Sequence, residues 1–192
     1  MTTGPRIPPL PPEERSDEVN ALLDAGIAGT DHSLGELNLF PTLARHPKLF
    51  RKWLPFGGYL LGGATLPARD RELLILRTSA RCKSNYEWSH HAVIARRVGI
   101  EQPTIDRVLQ GPDAEGWSAH EATLMRAVDE LHDNAALTDD TWAALASEYD
   151  QAQLIETTML VGEYHMVAFT LNATGVELED GYEPLPDWFL DV

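Results

Sequence analysis

Across residues 14–173 the apolar side chains recur at three- and four-residue spacing, and no convincing run alternates at spacing two. Such a chain has to bury helical stripes against one another, so the expected fold class is all-α. The pattern predicts helices over 14–27, 35–45, 48–61, 67–81, 84–98, 102–110, 118–135, 138–148 and 150–173. Gly57-Gly58, Gly62-Gly63, Gly99, Gly111-Pro112 and Gly116 supply the expected breaks. Pro67 suits a first helical turn, and Thr138 stands just before Asp139 and Asp140. Ser84 with Glu87, and Ser118 with Glu121, have the spacing of capping boxes. The short break around Cys82 predicts that 69–81 and 84–98 fold back as an antiparallel hairpin.

A chain of 192 residues suffices for a single domain with its own core. Residues 1–13, with Pro5, Pro8, Pro9, Pro11 and Pro12, cannot sustain a helix and read as an extended arm; 14–175 form the helical body. Residues 176–192 make an acidic tail whose Trp188, Phe189 and Leu190 are expected to dock on the body or on a neighbouring subunit. The net charge of -15 argues against nucleic acid and anionic lipid as partners. The opening MTTGPRIPPLPPEER has neither a basic nor an apolar leader region, and no window is apolar enough to span a bilayer, so a cytoplasmic location is expected. Cys82 stands alone, which excludes an intrachain disulfide and any Cys-x-x-Cys motif; it reads as an inert thiol.

The densest chemistry lies in the predicted hairpin. Ser84, Glu87, Trp88 and His91 share one face of the second helix, and Glu72 sits on the first. Buried carboxylates and imidazoles are costly unless paired or used, so Glu72, Glu87 and His91 are the catalytic candidates. Ser84, Trp88, Arg71 and His165 are the substrate-binding candidates, with Arg71, Arg77 or Arg81 available to hold a carboxylate. Each has a structural reading beside the functional one. Glu72 can serve the helix dipole, Glu87 can close a capping box, Trp88 can be core, and His91 can be a paired structural histidine. His90 lies one position off the face and is expected to meet a helix or subunit partner, while Arg96-Arg97 reads as a solvated patch.

The stretches Arg71-Glu72-Leu73-Leu74-Ile75-Leu76-Arg77 and Tyr86-Glu87-Trp88-Ser89-His90-His91, continuing to Ile94-Ala95-Arg96-Arg97-Val98-Gly99, resemble the helix pair of the carboxymuconolactone decarboxylase family. Gly162-Glu163-Tyr164-His165-Met166-Val167-Ala168 and Leu171-Asn172-Ala173-Thr174-Gly175-Val176 resemble that family's final helix. The resemblance implies an alkylhydroperoxidase D (AhpD)-like helical fold and a homo-oligomer, expected here as a trimer or larger. It also implies one of two chemistries: peroxide reduction by a Cys-x-x-Cys pair aided by Glu and His, or decarboxylation of a lactone without redox cysteines.

Where the redox branch carries its two cysteines this chain has Ser84 and Glu87, while Glu72 and His91 remain. The thiol chemistry lacks its minimum. What remains is acid/base work on a small oxygenated carboxylate or lactone, with His91 moving a proton and Glu72 orienting it, and with no cofactor required. An alternative places a divalent metal on Glu72, Glu87, His90 or His91 and His165, with Glu163 in reserve. A further alternative is a peroxidase-like alkylhydroperoxidase relative or a noncatalytic oligomer that binds a small molecule.

Overall fold

The computed structural model describes residues 4–26 and 32–190. Residues 1–3 of the arm, position 27 at the end of the first predicted helix, and 191–192 of the tail lie outside the described residues. Within them the chain forms ten α-helices: α1 Asp17–Leu23, α2 Leu39–Leu43, α3 Pro47–Gly62, α4 Ala68–Arg81, α5 Asn85–Arg97, α6 Gln102–Val108, α7 Ala119–Asn134, α8 Asp139–Ala146, α9 Gln151–Thr174 and α10 Asp187–Leu190. Among the described residues the one β-type pairing is an isolated bridge between Gly26 and Ser33.

The centre of the molecule is α4. Leu73, Leu74, Ile75 and Leu76 are each 0% exposed, which requires cover on every side rather than on one stripe. That cover comes from α5, α7 and α9, with α6 across one end. Burying four such side chains contributes roughly 1.5–3 kcal/mol each. Thr78 and Ser79 survive in this setting because their hydroxyls donate to the carbonyls of Leu74 at 2.9 Å and Ile75 at 2.7 Å.

The hairpin forms as the short break predicts. At the end of α4, Lys83 N–H donates to Ala80 O and Ser84 N–H to Ser79 O, while Lys83 itself takes the left-handed conformation with φ of 49°. This is a Schellman stop with lysine where glycine is usual. Ser79 meets Ser84 across the turn and Glu72 meets His91 farther out, so the two helices run antiparallel in one continuous register.

Several helix starts follow their capping signals. Ser118 and Glu121 close a full capping box, Thr138 caps α8, and Asp150 with Gln153 caps α9. Other readings are corrected. Gly57-Gly58 does not break α3, which runs through both glycines and Pro55 to Gly62. An added Cβ at Gly57 would stand 3.3 Å from the Glu163 carboxylate, so the position keeps its glycine for a close approach, not for a turn. The helix predicted over 14–27 is only Asp17–Leu23, because a 3-10 turn at Pro12–Glu14 precedes the Ser16 cap. That predicted over 35–45 is reduced to Leu39–Leu43, because Leu37 is extended between the 3-10 turn and α2. Pro67 is the N-cap of α4 and not its first residue.

The proline-rich segment is tied down: Arg6 N–H donates to Thr174 O and Leu10 N–H to Pro41 O. The tail crosses the back of α5. Glu179 accepts from Asn38 N–H at 2.6 Å, Tyr86 O–H at 2.7 Å and His90 at 2.7 Å, and Leu185 is buried. Phe189 and Leu190 pack on the main core while Trp188 stays exposed. No helix among the described residues is long and apolar enough to cross a membrane.

Candidate active site

The two helices of the hairpin, closed by α9, bring Glu72 and His91 into contact. Glu72 is 0% exposed, its Oε2 lies 2.8 Å from His91 Nδ1, and its Oε1 accepts from Arg71 Nε at 3.0 Å. A carboxylate can only accept, so the proton of the pair lies on Nδ1 and Nε2 is turned away from Glu72. Burial pushes the Glu72 carboxyl up, but the charge and hydrogen bond of His91 together with those of Arg71 outweigh it and hold it below the usual range. Tyr164 of α9 sets its ring edge-on to His91 at 4.9 Å, and its hydroxyl is pushed far up by burial and by the nearby Glu72 and Glu87 carboxyls.

Glu87, one turn before His91 on the same face, has the opposite environment. It is buried, and neither carboxyl oxygen has a hydrogen-bond partner; the Ser84 hydroxyl, also buried, has none either. Burial raises the Glu87 pKa well above the carboxylate range, and the nearby Glu163 carboxyl adds to it. Ser84 is the N-cap of α5, but its side chain makes no capping bond, so the expected capping box with Glu87 does not form. The Glu87 side chain turns into the protein instead of back toward its own helix start.

Glu163 completes this buried group. Its Oε1 accepts from the Trp53 indole of α3, its Oε2 is buried without a partner, and burial raises its pKa. Trp53 also walls an apolar groove of about 80 Å³ with Leu39, Leu43, Phe50, Met166 and Val167, so one indole touches both groove and carboxyl. Sequence reasoning held Glu163 only in reserve as a ligand and missed Trp53 and Tyr164. A carboxylate inside the apolar run of α9 was the available signal for Glu163; Trp53 had none.

The remaining predicted residues separate. Arg71 joins the site through Glu72, and its Nη groups make no hydrogen bond among the described residues. Arg77 instead forks onto Asp129 at 2.8 Å through both Nε and Nη2, and Arg81 turns to Asp133 and Asp129. Trp88 belongs to the main hydrophobic core. His90 stacks between Tyr86 and Tyr182 while it binds Glu179. His165 points the other way round α9, where its Nε2 lies 2.8 Å from His132 Nδ1. The ligand set expected for a metal is thus not assembled: His90 and His165 are both engaged elsewhere. The Cys82 thiol is pushed up to about 12, by burial first and then by the neighbouring Glu87 carboxyl.

Residues 47–130 match the model of the Carboxymuconolactone decarboxylase family, a span that includes the whole hairpin. Among curated proteins no match was found. Solved structures share the fold. An uncharacterized peroxidase-related protein from Silicibacter sp. TM1040 superposes with a TM-score of 0.80 at 14% identity, covering 95% of this chain and 97% of its own. One from Ralstonia eutropha JMP134, described as an alkylhydroperoxidase AhpD core, gives 0.78 at 17% identity, covering 91% and 93%. The debrominase Bmp8, in complex with 2,3,4-tribromopyrrole, gives 0.74 at 16% identity, covering 100% and 98%. The helix pair that builds the candidate site therefore lies within the stretch that matches the carboxymuconolactone decarboxylase family, set in an all-helical AhpD-like fold.

Proposed function

We propose that the chain is an acid/base enzyme that acts, without a redox cysteine pair, on a small oxygenated carboxylate or lactone. One observation carries the reading: of two buried glutamates on the same helix pair, Glu72 is hydrogen-bonded to His91 and Arg71 while both oxygens of Glu87 have no partner, which drives Glu72 down and Glu87 up in pKa. Paired groups pushed apart in this way divide acid and base roles. Glu72 stays ionised and orients His91, whose Nε2 is the base. Glu87 stays protonated and, with both oxygens unengaged, is the acid. Ser84, unpartnered beside it, is a further donor, and Arg71 offers its Nη groups to a substrate carboxylate.

In isomerisation, His91 removes a proton next to the carbonyl and Glu87 returns one to the enolate at another carbon; in elimination the same proton is removed, the β-substituent leaves with the electron pair of its bond, and Glu87 protonates it. In decarboxylation the C–C bond to the carboxylate breaks and its electron pair stays on carbon. Glu87 supplies the proton, carbon dioxide leaves, and solvent reprotonates Glu87. Thiol-based peroxide reduction would need a thiolate and a resolving cysteine, and the chain holds one cysteine with a strongly raised pKa.

The test is turnover of lactone carboxylates and β-keto acids, followed by carbon dioxide release and by proton exchange next to the carbonyl. Activity that needs His91 and Glu72 supports the reading; activity undiminished in both His91→Ala and Glu72→Gln removes it. The assembly is proposed in the same terms. Ile155, Met159, Met166 and Phe169 form an exposed apolar stripe along α9, which copies of the chain would cover in a trimer or larger ring. A monomer in light scattering at micromolar concentration would count against it.

A further inference from the structure

Three donors outside the proposed active site converge from three different elements. Cys82 ends α4, His132 lies in the last turn of α7, and His165 lies in the middle of α9. One ligand atom from each falls within 4.8 Å of the others, and all three side chains are partly, not fully, buried. The geometry points to a binding site for a transition-metal ion of the zinc class, held by the Cys82 thiolate and the imidazoles of His132 and His165.

The donor set favours that class. A thiolate and two imidazoles suit zinc and its borderline neighbours, whereas magnesium and calcium take oxygen ligands. The site also carries an outer support. His165 Nδ1 donates to the carbonyl of Val161 at 2.8 Å, one turn back on α9, which fixes the ring and leaves Nε2 as a donor atom aimed at the cluster. His132 Nδ1 sits 2.8 Å from that Nε2, so a separation of a few tenths of an ångström makes room for an ion between them. The Cys82 carbonyl accepts from Asn172 Nδ2 at 2.8 Å, which ties the cysteine's backbone to the same helix as His165. The neighbouring cation, Arg81, is drawn to Asp129 and Asp133. Three protein ligands leave a fourth position for water or an exogenous ligand.

Binding is written as Cys82–SH plus Zn²⁺ giving Cys82–S–Zn⁺ plus one proton, with no change of oxidation state. The experiment titrates untagged, full-length protein with Zn²⁺ and follows stoichiometry, affinity, proton release and protection of the thiol from alkylation. The expected result is one ion per chain, close to one proton released, and a thiol shielded by zinc. Cys82→Ser and His165→Ala should each weaken binding by at least about a hundredfold, since loss of an outer-shell partner alone costs tenfold to a hundredfold. Glu72→Gln should leave zinc affinity unchanged, and circular dichroism of each variant checks the fold. Absence of binding at micromolar zinc, or affinity undiminished in folded Cys82→Ser, overturns the inference. So does affinity lost in Glu72→Gln, which would move the ion to the Glu72–His91 pair. None of these outcomes depends on turnover at that pair.

Discussion

The two sides of α4 treat buried charge in opposite ways. Toward α7 every charge is answered: Arg77 is held by both Asp129 oxygens and by Val108 O, and Asp70 accepts from Tyr149 O–H at 2.6 Å and lies 2.9 Å from His120. Toward α5 and α9, the Glu72–His91–Arg71 chain is complete, but beside it Ser84, both oxygens of Glu87 and one of Glu163 have no partner. A buried polar atom without a partner costs about 1–3 kcal/mol, and a fold under selection for stability alone would have paired or replaced these. The difference teaches where to look: the satisfied side holds the fold together, and the unsatisfied side is where the proposed reading places the substrate.

The strongest way to break that comparison is kinetic. His91→Ala should lower turnover by on the order of a hundredfold to ten-thousandfold, and Glu72→Gln should lower it strongly while the variant stays folded by circular dichroism. Arg77→Ala, on the satisfied side, should act on stability instead. It leaves a buried carbonyl without its partner and Asp129 with only the 3.6 Å contact of Arg81, and should cost about 3 kcal/mol in urea unfolding, provided the variant folds.

The next test sharpens the contrast within the site. Glu87 has a raised folded-state pKa, so the folded chain holds a proton that the unfolded chain has lost, and stability falls as pH rises from the ordinary carboxylate range toward the folded pKa. Glu87→Gln should flatten that decline and gain at least about 1 kcal/mol at neutral pH. Glu72 works in reverse: its folded pKa is lowered, so its contribution is present above the ordinary range and is lost as pH falls through the folded value. Glu72→Gln should therefore flatten the acid limb of a pH–stability curve. The smallest effect is expected at the turn. Lys83 occupies a left-handed position, and Lys83→Gly should raise stability by roughly 0.5 kcal/mol in thermal melts.

Most of the fold was legible because caps and helical spacing are local. Ser118 with Glu121, Thr138, and the short link at Cys82 each worked through residues within a turn of one another. The candidate site was legible as far as one helix face reaches: spacing put Ser84, Glu87 and His91 on one face of the second helix, and Glu72 entered only from the neighbouring predicted helix. The failures share a cause. Ser84 and Glu87 have capping-box spacing, yet spacing does not say whether a carboxylate folds back to its helix start or inward, and here it goes inward. On α9 apolar residues surround the whole perimeter, with Leu160 and Ala168 fully buried and Ile155 and Phe169 exposed, so no stripe announced which side His165 would take. Trp53 and His132 reach their partners from distant chain positions, and nothing local marks that meeting.

The complete enclosure of α4 also sets how its amide hydrogens meet solvent. A helix whose central residues have no exposed side can exchange them for deuterium only when the surrounding helices separate, so its amides should be the slowest to exchange and should report the global unfolding free energy. Glu72 lies on that helix. Unlike a carboxylate on a loop, it is fully buried, and its polar neighbours are His91 and Arg71.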